Sequence, residues 1–230
     1  MSAVEVCALD ITYPDAAARR RAAASGYRAA ASIHLAYADG THEDISLPVR
    51  VARAVADEPP ALPASREEVL ESLAAIEVRV CFAVTVDLLS RRDHAEEELS
   101  RKLRRSGFRK PAIGSAIARA RENRFVDNVR FAAYFIEERK RQGWGRRRIE
   151  LELSRRGVRA EDVPGYPEEF FSDEDDLERA CALLARKSVP DMHARDKLMR
   201  FLVSKGFSYG IAADAVRRRL DGSDEEQDMW

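Results

Sequence analysis

One helix ending is written three times along this chain. Leu103-Arg-Arg-Ser-Gly107-Phe108 recurs as Leu153-Ser-Arg-Arg-Gly157-Val158 and as Leu202-Val-Ser-Lys-Gly206-Phe207, with the glycines 50 and 49 residues apart. Four residues before each leucine stands another aliphatic: Leu99, Ile149 or Leu198. Residues four apart share a helical face, so each pair marks a buried stripe. A glycine behind such a stripe fits the position after the last helical residue, where the backbone turns left-handed and a Cβ would be penalised. The apolar residue after each glycine then packs back on the leucine, the usual companion of a Schellman ending. Arg104, Arg105, Arg155, Arg156 and Lys205 lie in these last turns, near the negative end of the helix dipole.

Helices flank each copy. Pro111 suits the first turn of a helix carrying Ile113, Ala116 and Ile117. The third equivalent is expected over about 208–220, while only Val163 keeps that pattern in the second copy. Upstream helices are expected over about 128–141, with Phe131 and Phe135, and about 174–187, with Leu177 and Leu184. The first upstream helix should end near Ser90. Its stretch Val78–Val86 is β-branched enough to suggest a strand, but the repeat and the capping box Ser65-Arg-Glu-Glu68 favour a helix.

The expected fold is therefore mainly α: three tandem three-helix repeats stacked into an elongated, curved rod, a form generally used as a binding surface. The reading divides the chain into an N-terminal region with a β-hairpin (1–64), repeats at 65–124, 125–172 and 173–220, and an acidic tail (221–230). In the front region Ile33, Leu35 and Tyr37 alternate, Asp39-Gly40 supplies a two-residue turn, and Ile45 and Leu47 alternate on the return. A third strand is compatible with this hairpin. Residues 1–20 and the tail after Leu220 are expected to be loosely ordered.

Composition narrows the class. Of 230 residues 45% are hydrophobic, enough for a core. No apolar run reaches the roughly 18–20 residues of a membrane span, and no secretory h-region is seen. Cys7, Cys81 and Cys181 are far apart, so neither a disulfide framework nor a metal knuckle is expected, and a reduced cytoplasmic setting follows as the default. No phosphate loop, nucleophile elbow or metal-ligand spacing appears, so neither an enzyme nor a cofactor is expected. Gly143-Trp144-Gly145 lacks the Lys-Ser/Thr pair of a phosphate loop and reads as a tight corner between helices with an aromatic plug.

The net charge of −1 conceals strong segregation. Residues 91–121 hold ten Lys/Arg against four acids, 139–159 nine against two, and 186–219 nine against three, whereas 161–178 carries nine acids and no base. Such blocks suit a polyanion or an acidic protein face. From charge and repeat register, the expected contact residues are Arg101, Lys102, Arg104 and Arg105, then Arg146, Arg147, Arg148, Arg155 and Arg156, then Lys205.

Phe125-Val-Asp-Asn-x-x-Phe131-Ala132, followed by Gly143-Trp-Gly-x-x-Arg148-Ile149-x-x-Glu152-Leu153-x-x-x-Gly157-Val158, resembles the RecX family of recombinase regulators. Leu89-x-x-Arg92-x-x-Ala95-x-x-Glu98-Leu99-x-x-Lys102-Leu103 is similar to that family's first-repeat signature, with Ala95 where the family often has Ser. The resemblance covers about 78–220, and the acidic stretch 161–176 departs from a clean third helix in the second repeat. It implies a protein that binds the RecA filament on single-stranded DNA along its groove. Such a protein inhibits ATPase and strand exchange, promotes disassembly, and so moderates homologous recombination and the SOS response. The implied partner is the RecA filament, with no cofactor; single- or double-stranded DNA is a further candidate partner, no membrane is expected, and a monomer is the default state. Two other readings stand beside it. One is an independent DNA-binding helical-repeat protein. The other is a general protein-interaction scaffold using Trp144 and the hairpin edge.

Overall fold

The computed structural model describes residues 4–190 and 192–227. It divides into two compact units, 1–127 and 128–230.

The first unit begins with β1 (Glu5–Thr12), α1 (Ala16–Ala24), β2 (Ala30–Tyr37), β3 (His42–Pro48), α2 (Val49–Asp57) and the short β4 (Ala64–Ser65). The hairpin forms as the alternation foretold, with β2 and β3 antiparallel from Ala30↔Pro48 to Ala36↔His42. Its turn is not the two-residue form, however: it spans 38–41. The Asp39 carboxylate accepts from both the backbone N–H (2.9 Å) and the hydroxyl (2.7 Å) of Thr41, which fixes a wider loop.

The sheet has four strands in the order β3-β2-β1-β4. This corrects the expectation of a loose 1–20, of which 1–3 lie outside the described residues. Strand β1 pairs with β2 from Val6↔Tyr37 to Thr12↔Ser32, so its backbone groups are satisfied by a strand distant in the sequence. Helix α1 is held at its start by Asp15, whose carboxylate accepts from the Ala18 N–H.

Helix α3 (Arg66–Leu89) opens on the capping box at Ser65 and Glu68 and runs unbroken through Val78–Val86. Burial against neighbours outweighs the β-branched preference of that stretch. It is followed by α4 (Glu96–Arg105) and α5 (Lys110–Glu122). Val6, Ile33, Leu35 and Leu47 of the sheet, Val51 and Val55 of α2, Val69, Leu73 and Ile76 of α3, and Leu103, Phe108 and Ile113 of the first repeat form one core. The sheet region and the first repeat are thus a single folding body. Buried Glu77 of α3 accepts from the backbone N–H (2.8 Å) and Nε (2.5 Å) of Arg109, capping α5 from a separate element.

The second unit holds α6 (Asn128–Arg141), α7 (Arg146–Arg155), a 3₁₀ turn (Ala160–Asp162), α8 (Asp173–Ala185), α9 (Ala194–Lys205) and α10 (Tyr209–Gln227). As the acidic stretch suggested, the second repeat has only the 3₁₀ turn where its last helix would stand; Ala160 and Val163 are nonetheless buried. In the third repeat Ala180, Leu184, Leu198, Leu202, Phe207, Ala212 and Val216 form the core. The expectation of a loose chain after Leu220 is also corrected, since α10 extends to Gln227; the rest of the acidic tail, 228–230, lies outside the described residues. Asp221–Gln227 continue the hydrogen-bonding pattern of a helix already nucleated by packing.

The three helix endings are built alike. The φ angles at Gly107, Gly157 and Gly206 are +90°, +77° and +96°. In each, the N–H after the glycine returns to the leucine carbonyl: Phe108 to Leu103 (3.2 Å), Val158 to Leu153 (3.1 Å) and Phe207 to Leu202 (3.2 Å). The glycine N–H returns to Arg104, Ser154 and Val203 respectively, completing the Schellman pattern three times.

Candidate functional site

The basic side chains singled out from the sequence sort by what already holds them. Arg104 reaches Glu97 at 2.7 Å, and Lys102 stands 3.8 Å from Glu98. Arg146 reaches Glu150 at 2.8 Å. Arg156 and Arg155 share Glu152, at 2.8 and 3.6 Å. Arg148 lies over the Trp144 ring at 3.9 Å, and Lys205 stands 5.6 Å from the Phe201 ring. Arg101, Arg105 and Arg147 have exposed side chains with no carboxylate partner among the described residues. Exposed ion pairs contribute only about 0.2–1 kcal/mol, so a polyanion could recruit Arg104, Arg146 or Arg155 at small cost.

In the first repeat the pairing reaches inward. Burial alone would push the Glu98 carboxyl up, but hydrogen bonds from Arg92 and His94 outweigh it and hold the group at about 2. His94, itself buried, is pushed below its usual value by desolvation. Burial pushes the Cys81 thiol up to about 12, which makes it a core residue and a poor nucleophile. The three cysteines are free. No group of three His, Cys, Asp or Glu among the described residues is placed to hold a metal. No described helix is long and apolar enough to cross a membrane.

Gly143-Trp144-Gly145 is the interhelical corner that its spacing suggested. The Trp144 N–H returns to the Arg139 carbonyl at 2.9 Å, and Arg179 of α8 donates to the Trp144 carbonyl at 2.9 Å. Beyond the corner, α7 has a glycine N-cap with no side-chain cap. The end of α9 does that work: the Gly145 N–H donates to the Lys205 carbonyl (2.8 Å) and the Arg147 N–H to the Gly206 carbonyl (3.1 Å). Orphan donors at one helix start thus meet orphan acceptors at another helix end. The approach is close: a Cβ on Gly145 would lie 2.3 Å from the Gly206 carbonyl carbon, and one on Gly206 would lie 2.4 Å from Arg148 Cβ.

The ending of α4 is covered differently. The Arg105 carbonyl accepts from the Arg28 N–H at 2.9 Å, and Gly107 faces Pro48, whose Cγ would stand 3.7 Å from an added Cβ. Around this looser approach lies a cleft of about 790 Å³. Arg19 of α1, Arg28 of the following loop, and Arg50 and Arg53 of α2 line it from the N-terminal side. The first repeat adds Arg91, Lys102 and Arg105. Two of the sequence-chosen residues, Lys102 and Arg105, therefore join five cations that repeat register does not reveal. Those five come from four separate places in the chain, and the only local signals were the Arg50/Arg53 pair on a short helix and the position of Arg91 at the head of the first basic block.

Fold and surface together define a class: tandem three-helix repeats with cation-rich helix ends, preceded by a small βα region. Models of the first, second and third three-helix domains of RecX match residues 81–119, 127–163 and 173–216. A regulatory protein RecX of Pseudomonas fluorescens is 34% identical over 158 residues, which is 68% of this chain and 96% of that relative. The chain belongs to the RecX family. A regulatory protein RecX of Caldanaerobacter subterraneus subsp. tengcongensis is 33% identical over 120 residues, 52% of this chain and 60% of that relative. The fold is similar to a crystal structure of RecX from Lactobacillus salivarius, with a TM-score of 0.52 at 22% identity over 64% of this chain and 98% of that one. A second crystal structure of regulatory protein RecX gives a TM-score of 0.53 at 15% identity over 90% of this chain and 96% of that one.

Proposed function

We propose that this protein is a monomeric, cytoplasmic regulator that binds the RecA filament on single-stranded DNA and inhibits its ATPase and strand-exchange activities. It thereby restrains homologous recombination and the SOS response, with no catalysis or cofactor of its own. Supporting this reading is one observation: three consecutive RecX-domain matches fall on helices whose ends carry Arg101, Lys102, Arg104 and Arg105, then Arg146, Arg147, Arg148, Arg155 and Arg156, then Lys205. Each repeat makes modest contacts with a repeating polymer. Joining the repeats in one chain converts the second and third encounters into intramolecular ones, which raises avidity through effective concentration. The repeats act as the segments 65–124, 125–172 and 173–220.

The test is RecA-dependent ATP hydrolysis on single-stranded DNA with substoichiometric protein. Inhibition is expected, and reversing charge at Arg101/Arg105 together with Arg147 should weaken it while circular dichroism stays unchanged. Undiminished hydrolysis in the presence of the folded wild-type protein would overturn the proposal.

A further inference from the structure

We infer that the cleft between the N-terminal sheet region and the first repeat, which shares Lys102 and Arg105 with the repeat surface, is a binding site for a single-stranded nucleic acid. Its cations arrive from five places: α1, the loop after it, α2, the segment just after α3 and the last turns of α4. Arg19, Arg28, Arg50, Arg53 and Arg105 have no carboxylate partner among the described residues, although 34% of the chain is charged and most neighbouring arginines on the repeats are paired. The only acid lining the cleft, Asp87, is already engaged by Arg91 at 3.1 Å. Arg91 and Lys102 are paired with Asp87 and Glu98, which leaves five arginines around the cleft without a carboxylate, a field that favours a polyanion. The arginines, with fixed planar donor forks, suit phosphate oxygens better than a diffuse counter-ion cloud.

Two further features select a single strand. Tyr27 stands at the cleft with 56% of its surface exposed. Between the cations lie Val49, Leu88 and Phe108, an apolar lining that phosphates alone would not use. A basic groove combined with an aromatic platform is how proteins track a backbone while stacking unpaired bases, and stacking contributes about 1–3 kcal/mol per base. A duplex offers no free base faces to such a platform, and an acidic peptide would use the cations but not Tyr27. The site belongs to the one body formed by the sheet and the first repeat, so binding needs no rearrangement of the described elements.

The experiment measures fluorescence anisotropy of a short fluorescein-labelled oligothymidylate with the full-length protein and no recombinase present. The quadruple variant Arg19→Glu/Arg28→Glu/Arg50→Glu/Arg53→Glu should bind at least about tenfold more weakly. Its slope of log affinity against log salt should flatten by about 0.7 for each phosphate that is no longer neutralised. Arg20→Glu/Arg21→Glu, on the same helix but outside the cleft, should change affinity far less. Tyr27→Ala should weaken binding while Tyr27→Phe restores it, which also decides the matter if the quadruple variant does not fold. Unlabelled duplex and polyglutamate should compete poorly. Wild-type affinity in a folded quadruple variant would sink the inference, as would equal affinity of Tyr27→Ala and Tyr27→Phe. Displacement by polyglutamate or duplex as effective as by single strand would sink it too. Because no recombinase is present, failure here leaves the ATPase result untouched, and the converse holds.

Discussion

At Gly206 an added Cβ would press on Arg148 at 2.4 Å, whereas at Gly107 it would meet Pro48 at 3.7 Å. The two turns share their internal hydrogen bonds, their buried leucine and their positive φ. They differ in what lies against them. Where a repeat covers a repeat, helix start meets helix end, main chain touches main chain, and nothing fits between. Where the sheet region covers the first repeat, the two share a core, but at the turn itself the Arg28 N–H makes the one backbone hydrogen bond and a cation-lined cleft stays open beside it. Like stacked on like closes a seam. An unlike partner on the same turn leaves room for a ligand.

Substitutions at matched positions test whether the two turns differ only on the outside. Leu103→Ala and Leu202→Ala remove fully buried side chains from equivalent positions. Each should cost about 2–5 kcal/mol in chemical denaturation, and a large difference between them would show that the turns are not alike inside. Gly145→Ala should destabilise by about 3 kcal/mol, near the top of ordinary overpacking costs, because its neighbour is backbone that cannot swing away. Gly107→Ala should cost only about 1–2 kcal/mol, the penalty of left-handed φ without a clash. Equal costs at these two glycines would mean that the closed seam and the open cleft constrain the chain alike. Ala95→Ser probes the N-terminus of α4, which has no side-chain cap; a gain of about 0.5–1 kcal/mol is expected from the restored hydrogen bond.

Acid titration with and without the Glu98 carboxyl isolates the first repeat's share, since Glu43 in the sheet region is held at about 2 as well. The Glu98 carboxyl has a folded value of about 2 against an ordinary 4.5. A depressed carboxyl favours the folded state above its unfolded value, and that contribution is lost as pH falls from about 4.5 toward 2. Glu98→Gln should flatten the decline of melting temperature over that window, since the amide does not titrate.

The repeats were legible because their signals are local. An i,i+4 aliphatic pair, a glycine and a following apolar residue lie close together in the sequence, and the physics of a helix end connects them. The order of 4–20 was not legible, because β1 is held by a strand distant in the sequence and its alternation is blurred by Glu5 and Asp10. The wider Asp39 turn was missed because a side-chain hydrogen bond to Thr41 decided it. The site was half legible. Charge register picked out Lys102 and Arg105, but it could not see that Glu97, Glu150 and Glu152 would engage Arg104, Arg146 and Arg156. Nor could it gather Arg19, Arg28, Arg50 and Arg53, which come from three separate elements that only the tertiary fold assembles.

The capping of α7 by the carbonyls of Lys205 and Gly206 also bears on how this surface can diversify. Two peptide groups hold that seam, and peptide groups are the same whatever side chains hang from them. Arg147 and Lys205 contribute their backbones to the closure and leave their charges uncommitted to it. Selection could therefore redraw the electrostatic face at this corner, residue by residue, while the masonry beneath stays put; Gly143, Gly145 and Gly206, each with no room for a Cβ, are the positions that resist change.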